Sequence, residues 1–313
     1  MELKGQRFGI EIEMTGITRE KAAEVTAQYF GTSSRYLGTF YDTYAALDPE
    51  GRQWKFMSDS SITPQRKENR QIVPAAYEYR TEMVSPICRY EDIVSIQEII
   101  RKLKEHGAIT NKSCGIHVHI DASPFDARTL RNITNIMASK EDLIYKALQV
   151  SVAREDSYCQ KVEQRFLEEL NRKKPKTMSA LADIWYTSHG EDYGRSHHYN
   201  RSRYHMLNYH ATFTKGTVEF RLFQFDAPTA ERRGGLHAGQ LKSYIQLCLA
   251  LSQMAKTVRS ASPKPQQNEN PKYAMRTWLL RLGFIGDEFK TARDILTRRL
   301  SGDASFRNGR TAA

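Results

Sequence analysis

Cysteine is scarce and unpaired in this 313-residue chain: Cys88, Cys114, Cys159 and Cys248 stand far apart, and no Cys-x-x-Cys unit occurs. That argues against a zinc ribbon and a disulfide framework, so all four read as free thiols in a reducing compartment. Long apolar runs are missing too. The longest such stretch, around Tyr244 to Met254, is too short and too interrupted to cross a bilayer. Met1 to Arg7 carry no apolar secretory core. The expectation is a cytoplasmic protein with no membrane association.

Internal repeats and long low-complexity tracts are also absent. Acid is in deficit, and the net charge is +11. Such a balance attracts anions of every kind, from nucleic acids to nucleotide phosphates, and does not choose among functions. From Lys256 onward basic residues outnumber acids by seven, which reads first as a solvated basic surface. Against a nucleic-acid-binding module stand the lack of any recognised motif and an acidic, not basic, strand face.

What is present is an alternation of short strands with helices. Strands are predicted at 7–15, 54–59, 76–84, 115–121, 204–211 and 217–223. Helices are predicted at 19–29, 90–106 and 130–138, through a long region from 140 toward 170, and at 231–256. The fold class implied is α+β, helices backing one face of a largely antiparallel sheet. Three prolines between Ser260 and Pro271 suggest a linker. The domain expectation is therefore a catalytic domain over 1–258, a Pro-rich linker over 259–272 and a basic helical extension over 273–313.

Side chains two apart on a strand share a face, about 6.6 Å apart. By that rule Glu11 and Glu13 pair, as do His117 with His119, Glu219 with Arg221, and Glu78 with Arg80 and Glu82. Asn208 shares a side with His210, and the strand from Trp54 ends at Asp59. Half-buried strands ordinarily turn a polar face to water, and each strand alone is best read so. Together the residue types say otherwise, because acids are depleted in strands and here dominate. If Glu11, Glu13, Glu82 and Glu219 converge, each close pair repels by roughly 4 kcal/mol at an effective dielectric near 20. Cations must then offset the repulsion, and oxygen-rich ligands with one imidazole suit Mg²⁺ or Mn²⁺ better than Zn²⁺. His-x-His alone is a weak signal; cupins and barrel amidohydrolases use it, but this chain lacks the Glu that follows in the first and the eightfold repeat of the second.

Phe8-Gly9-Ile10-Glu11-Ile12-Glu13, Asp59-Ser60-Ser61, Glu82-Met83-Val84-Ser85-Pro86 and Cys114-Gly115-Ile116-His117-Val118-His119 resemble, in order and spacing, the amidoligase family of the carboxylate–amine ligase superfamily, relatives of glutamine synthetase. Arg154 with Tyr158-Cys159, Arg203 through Asn208, and Thr217-Val218-Glu219-Phe220-Arg221 extend the resemblance to about residue 225. It implies a curved, glutamine-synthetase-like sheet and an ATP-dependent ligase that joins a carboxylate to an amine through an acyl phosphate. Two or more divalent metals are implied, with Glu11, His117 and Glu219 around one and Glu13 and Glu82 around another. Arg221 would grip the transferring phosphoryl group, with Arg203 and Arg154 as further phosphate contacts. His119 and Asn208 would sit beside the substrate, and Asp59 would orient or deprotonate the amine. Gln224-Phe225-Asp226 departs from the Gly-Thr turn of many relatives. The implied partners are small-molecule or peptide acids and amines; a metal-dependent hydrolase using the same ligands is the alternative. Oligomeric state is left open.

Overall fold

A computed structural model describes residues 2–228, 234–265 and 269–306. The class is α+β, as expected, with a large, mainly antiparallel sheet. By its internal contacts the chain divides into two compact units.

The first unit comprises Arg7–Val118 and Phe223–Lys242. It holds β1 (Phe8–Met14), α1 (Arg19–Phe30), β2 (Ser34–Tyr36), β3 (Tyr44–Leu47), β4 (Gln53–Met57), β5 (Gln65–Glu68), β6 (Gln71–Pro74), β7 (Thr81–Val84) and α2 (Ile93–Glu105), and β8 (Ile116–Asp121) begins here. The order β2-β3-β4-β7-β1-β8 places β1 between β7 and β8. Phe8, Ile10, Ile12 and Met14 are fully buried, as alternation demands, which turns Glu11 and Glu13 to the other face. Thr18 caps α1 by accepting from the Lys21 N–H, and Gly31 ends it in the left-handed region. Helix α1 packs on β3, β4 and α2. Helix α2 buries Ile93, Ile96, Ile99, Ile100 and Leu103, the apolar stripe its sequence spacing implies. Strands β5 and β6 form a hairpin whose turn residues Asn69 and Arg70 both have positive φ, the geometry that matches strand twist.

The second unit comprises Met1–Gln6, His119–Leu222 and Ser243–Ala313. It holds the end of β8, then α3 (Ala127–Ala138), α4 (Glu141–Leu148), α5 (Val152–Tyr158), α6 (Gln164–Lys173), α7 (Met178–His189), β9 (Leu207–Asn208), α8 (His210–Lys215) and β10 (Thr217–Phe223). Most of α9 (Ala238–Thr257) follows, then α10 (Pro271–Arg281) and α11 (Lys290–Thr297). Strand β10 lies between β8 and β9. Helix α11 packs against α10 and α4. No described helix is long and apolar enough to cross a membrane.

Four elements differ from expectation. The strand predicted at 76–84 is a single 3₁₀ turn at Tyr77–Tyr79 followed by β7, because the buried Arg19 guanidinium takes the carbonyls of Tyr77 and Arg80 away from any ladder. Glu78 is consequently exposed while Glu82 is buried, so the two do not share a face. The strand predicted at 204–211 shrinks to two residues, since the Asn208 carboxamide accepts from the Ala211 N–H and starts α8. The long helical region after Lys140 is three helices: Gln149 adopts a left-handed conformation that ends α4, Ser151 caps α5, and Gln160 leaves to bridge His205. The last predicted helix begins at Ala238; residues 231–233 lie outside the described residues.

Candidate active site

Strand alternation and one antiparallel register build the acidic centre of the first unit. Glu13 and Glu82 are Cα partners across β1 and β7, and Met57 of β4 pairs Glu82 on its other side. Two three-residue groups result, each with donor atoms within 4.8 Å of one another: Glu11, Glu82 and His117, and Glu13, Asp59 and Glu82. Glu82 belongs to both. Exposure is low, 6% for Glu13, 9% for Glu82 and 5% for His117, so water screens these charges poorly. Protein donors offset part of the charge. The Gly115 N–H donates to Glu13 Oε2 at 2.5 Å, and His117 Nδ1 lies 3.0 Å from Glu11 Oε2. The Asp59 carboxylate accepts from the Ser61 N–H at 2.6 Å, which holds it in the turn just past β4. The donor set, four carboxylates and one imidazole, is hard and oxygen-rich and fits Mg²⁺ or Mn²⁺. Asp59, expected to serve the amine, is thus gathered with two carboxylates.

In the second unit Glu219 (2% exposed) is the hub. Its Oε1 accepts from Arg221 Nη1 at 2.5 Å, its Oε2 from Asn208 Nδ2 at 2.6 Å, and Glu219 and Asn208 are Cα partners across β10 and β9. His119 Nε2 lies 3.9 Å from Glu219 Oε1, while its Nδ1 is 3.0 Å from the Thr217 hydroxyl. That contact orients the ring. Thr217 alternates on one face with Glu219 and Arg221, so the two-residue rule that pairs those two also marks it. Arg221 also donates to the Tyr158 carbonyl and stacks its guanidinium 5.8 Å from the Tyr204 ring centre. Arg154 Nη2 donates to the Arg221 carbonyl at 3.3 Å, so it braces the strand that carries Arg221. Arg203 donates to the His198 carbonyl at 3.1 Å and lies 5.7 Å from the rings of Tyr199 and Tyr204.

Buried carboxylates in shared ladders, an imidazole pair on one strand and a fixed arginine are set on an α+β fold, residue types that could hold a metal ion. Residues 4–252 match the family model described as "putative amidoligase enzyme", and the chain belongs to that family, whose name points to ligase activity. No curated protein matches the chain.

Proposed function

We propose that this chain is an ATP-dependent carboxylate–amine ligase with a glutamine-synthetase-like sheet, acting on small-molecule or peptide substrates. The observation that carries the reading is the placement of Glu82 in two adjoining donor groups, a geometry suited to two divalent cations. A carboxylate is a poor electrophile; bound ATP with Mg²⁺ or Mn²⁺ would supply the phosphoryl group and charge neutralisation that turn it into an acyl phosphate. Glu11, Glu82 and His117 would hold one cation and Glu13, Glu82 and Asp59 another. Arg221, fixed by Glu219, Tyr158 and Tyr204, is the guanidinium for the negative charge of phosphoryl transfer. His119, oriented by Thr217, and Asn208 serve the substrates.

The test is a screen for ADP release with magnesium against pooled acids and amines, followed by mass spectrometry of the condensed product. Turnover that survives intact in both Glu11→Gln and Glu82→Gln would sink the reading. Product formed without ATP would instead indicate a hydrolase built on the same ligands.

A further inference from the structure

The second unit contains a cavity of about 190 Å³ lined by Arg203, Lys215, His198, Thr214, Asn208 and His210, with Glu219 at its edge. Asn208, His210 and Glu219 are buried, Arg203 is half-buried, and Lys215, His198 and Thr214 are exposed. The lining carries two fixed cations, Arg203 and Lys215, against one carboxylate. Glu219 is the one carboxylate among the lining residues, and Arg221 and Asn208 already occupy its oxygens. Neither Arg203 nor Lys215 pairs with an acid among the described residues. Burial lowers the His210 pKa first, a hydrogen bond to the His197 backbone opposes it, and Arg203, His198 and Lys215 lower it further.

Arg203 is also held ready. Its hydrogen bond to the His198 carbonyl and the flanking rings of Tyr199 and Tyr204 restrict the guanidinium, which reduces the entropy lost on binding. The cavity is smaller than the roughly 300–1,000 Å³ of pockets that enclose whole ligands, so it suits one group of a larger molecule.

We propose that this basin seats an anionic group, a carboxylate or a phosphate, on Arg203 and Lys215, and that the group belongs to a substrate. The inference rests on the ligase reading for what the bound molecule becomes, but not for the binding itself. It makes the acid or the amine a molecule with a second negative group beyond the reacting one.

Binding is measured by calorimetry without ATP turnover, using inorganic phosphate, glutamate and ADP as separate probes. The proteins are the wild type, Arg203→Gln, Lys215→Gln and Lys290→Gln, the last altering an exposed lysine outside the basin. Phosphate and glutamate are expected to bind the wild type and Lys290→Gln alike and to weaken roughly tenfold in each basin variant, the loss typical of a charge-assisted hydrogen bond. ADP affinity is expected to stay unchanged. Equal phosphate and glutamate affinity in all four proteins, or no binding by the wild type, overturns the basin. A parallel tenfold loss for ADP overturns the substrate assignment and gives the basin to the nucleotide. The two readings fail separately: a wrong ligase assignment appears as no ADP release whatever the basin binds, and a wrong basin as unaltered anion affinity in an enzyme that releases ADP.

Discussion

Glu13 and Glu82 face each other as direct partners in the β1–β7 ladder. Residues so placed have Cβ atoms about 4.5–5.5 Å apart, and like charges there destabilise the sheet. Ile12 and Met83, the adjacent partners in the ladder, are both fully buried, so apolar packing fixes the register. The carboxylate pair is thus a local conflict within an otherwise consistent strand, the signature of a position kept for chemistry rather than stability.

The first prediction follows from that conflict. In a chelator, Glu82→Gln should be at least as stable as the wild type, because a repulsion of roughly 3–4 kcal/mol at about 5 Å is relieved. Added Mg²⁺ or Mn²⁺ should raise the wild-type Tm and leave the variant's unmoved, since binding to the folded state stabilises by mass action. Thermal melts with and without metal decide it. A variant stabilised by metal as much as the wild type is would remove Glu82 from the donor set.

Arg221 and Glu219 make the second. The pair is buried, and removing one member strands the other; Arg221→Met should cost about 3–5 kcal/mol in urea unfolding. Arg221→Lys keeps the charge but cannot reproduce the bonds to both Glu219 and the Tyr158 carbonyl. It should fold with a smaller loss of stability yet lower ATP turnover by about 100-fold or more. Equal turnover in Arg221→Lys and wild type would mean that the guanidinium only braces the strand.

Thiol chemistry gives the third. All four cysteines are free and buried. Burial pushes Cys88 up to about 12 and raises Cys159 and Cys248 as well. Thiolate is the reactive form, so a disulfide reagent should label none of these three quickly in the native protein and all of them in urea. Fast labelling of Cys88 under native conditions would contradict its packing.

How much of this was readable without coordinates depended on the range of the interactions involved. The period-2 pattern of Phe8 to Met14 and the helical stripe of Ile93 to Leu103 are local signals, and both elements formed where they pointed. The same two-residue rule placed Glu11 with Glu13 and His117 with His119. It failed at Glu78 and at His210, where side chains interrupt the ladder: Arg19 takes the carbonyls beside Glu78, and Asn208 starts a helix before His210. Arg19 lies about sixty residues upstream of the carbonyls it binds, so no window centred on Tyr77 contains the cause. Around the basin the family resemblance singles out Arg203 and Asn208, but not Lys215, which joins them from a helix end that shares no period with either.

The fourth prediction concerns pH, where two half-buried groups of the second unit, His189 and Glu141, oppose each other. Burial, reinforced by His205, pushes His189 down to about 4, and burial lowers His205 too. Their rings sit 4.6 Å apart beside Trp185. Both imidazoles stay neutral in the fold, whereas the unfolded chain takes up their protons near pH 6.5. Their contribution is therefore complete above about pH 6.5 and is lost as pH falls toward 4. Glu141 runs the other way. Burial pushes it up to about 7, against the help of the Val162 N–H and Lys161, so its folded carboxyl resists ionising while the unfolded one does not. Its contribution is complete below about pH 4.5 and is lost as pH rises to 7. Between pH 5 and 6.5 the slopes partly cancel. Glu141→Gln should remove the opposing slope, so that its Tm rises with pH by roughly 2–5 °C more than the wild type's over that window. His189→Phe, which keeps an aromatic ring against Phe166 and Trp185, should tilt the profile the other way by a similar amount. Melting curves at half-unit pH steps separate the cases; identical slopes in all three proteins would show that neither group titrates differently in the fold.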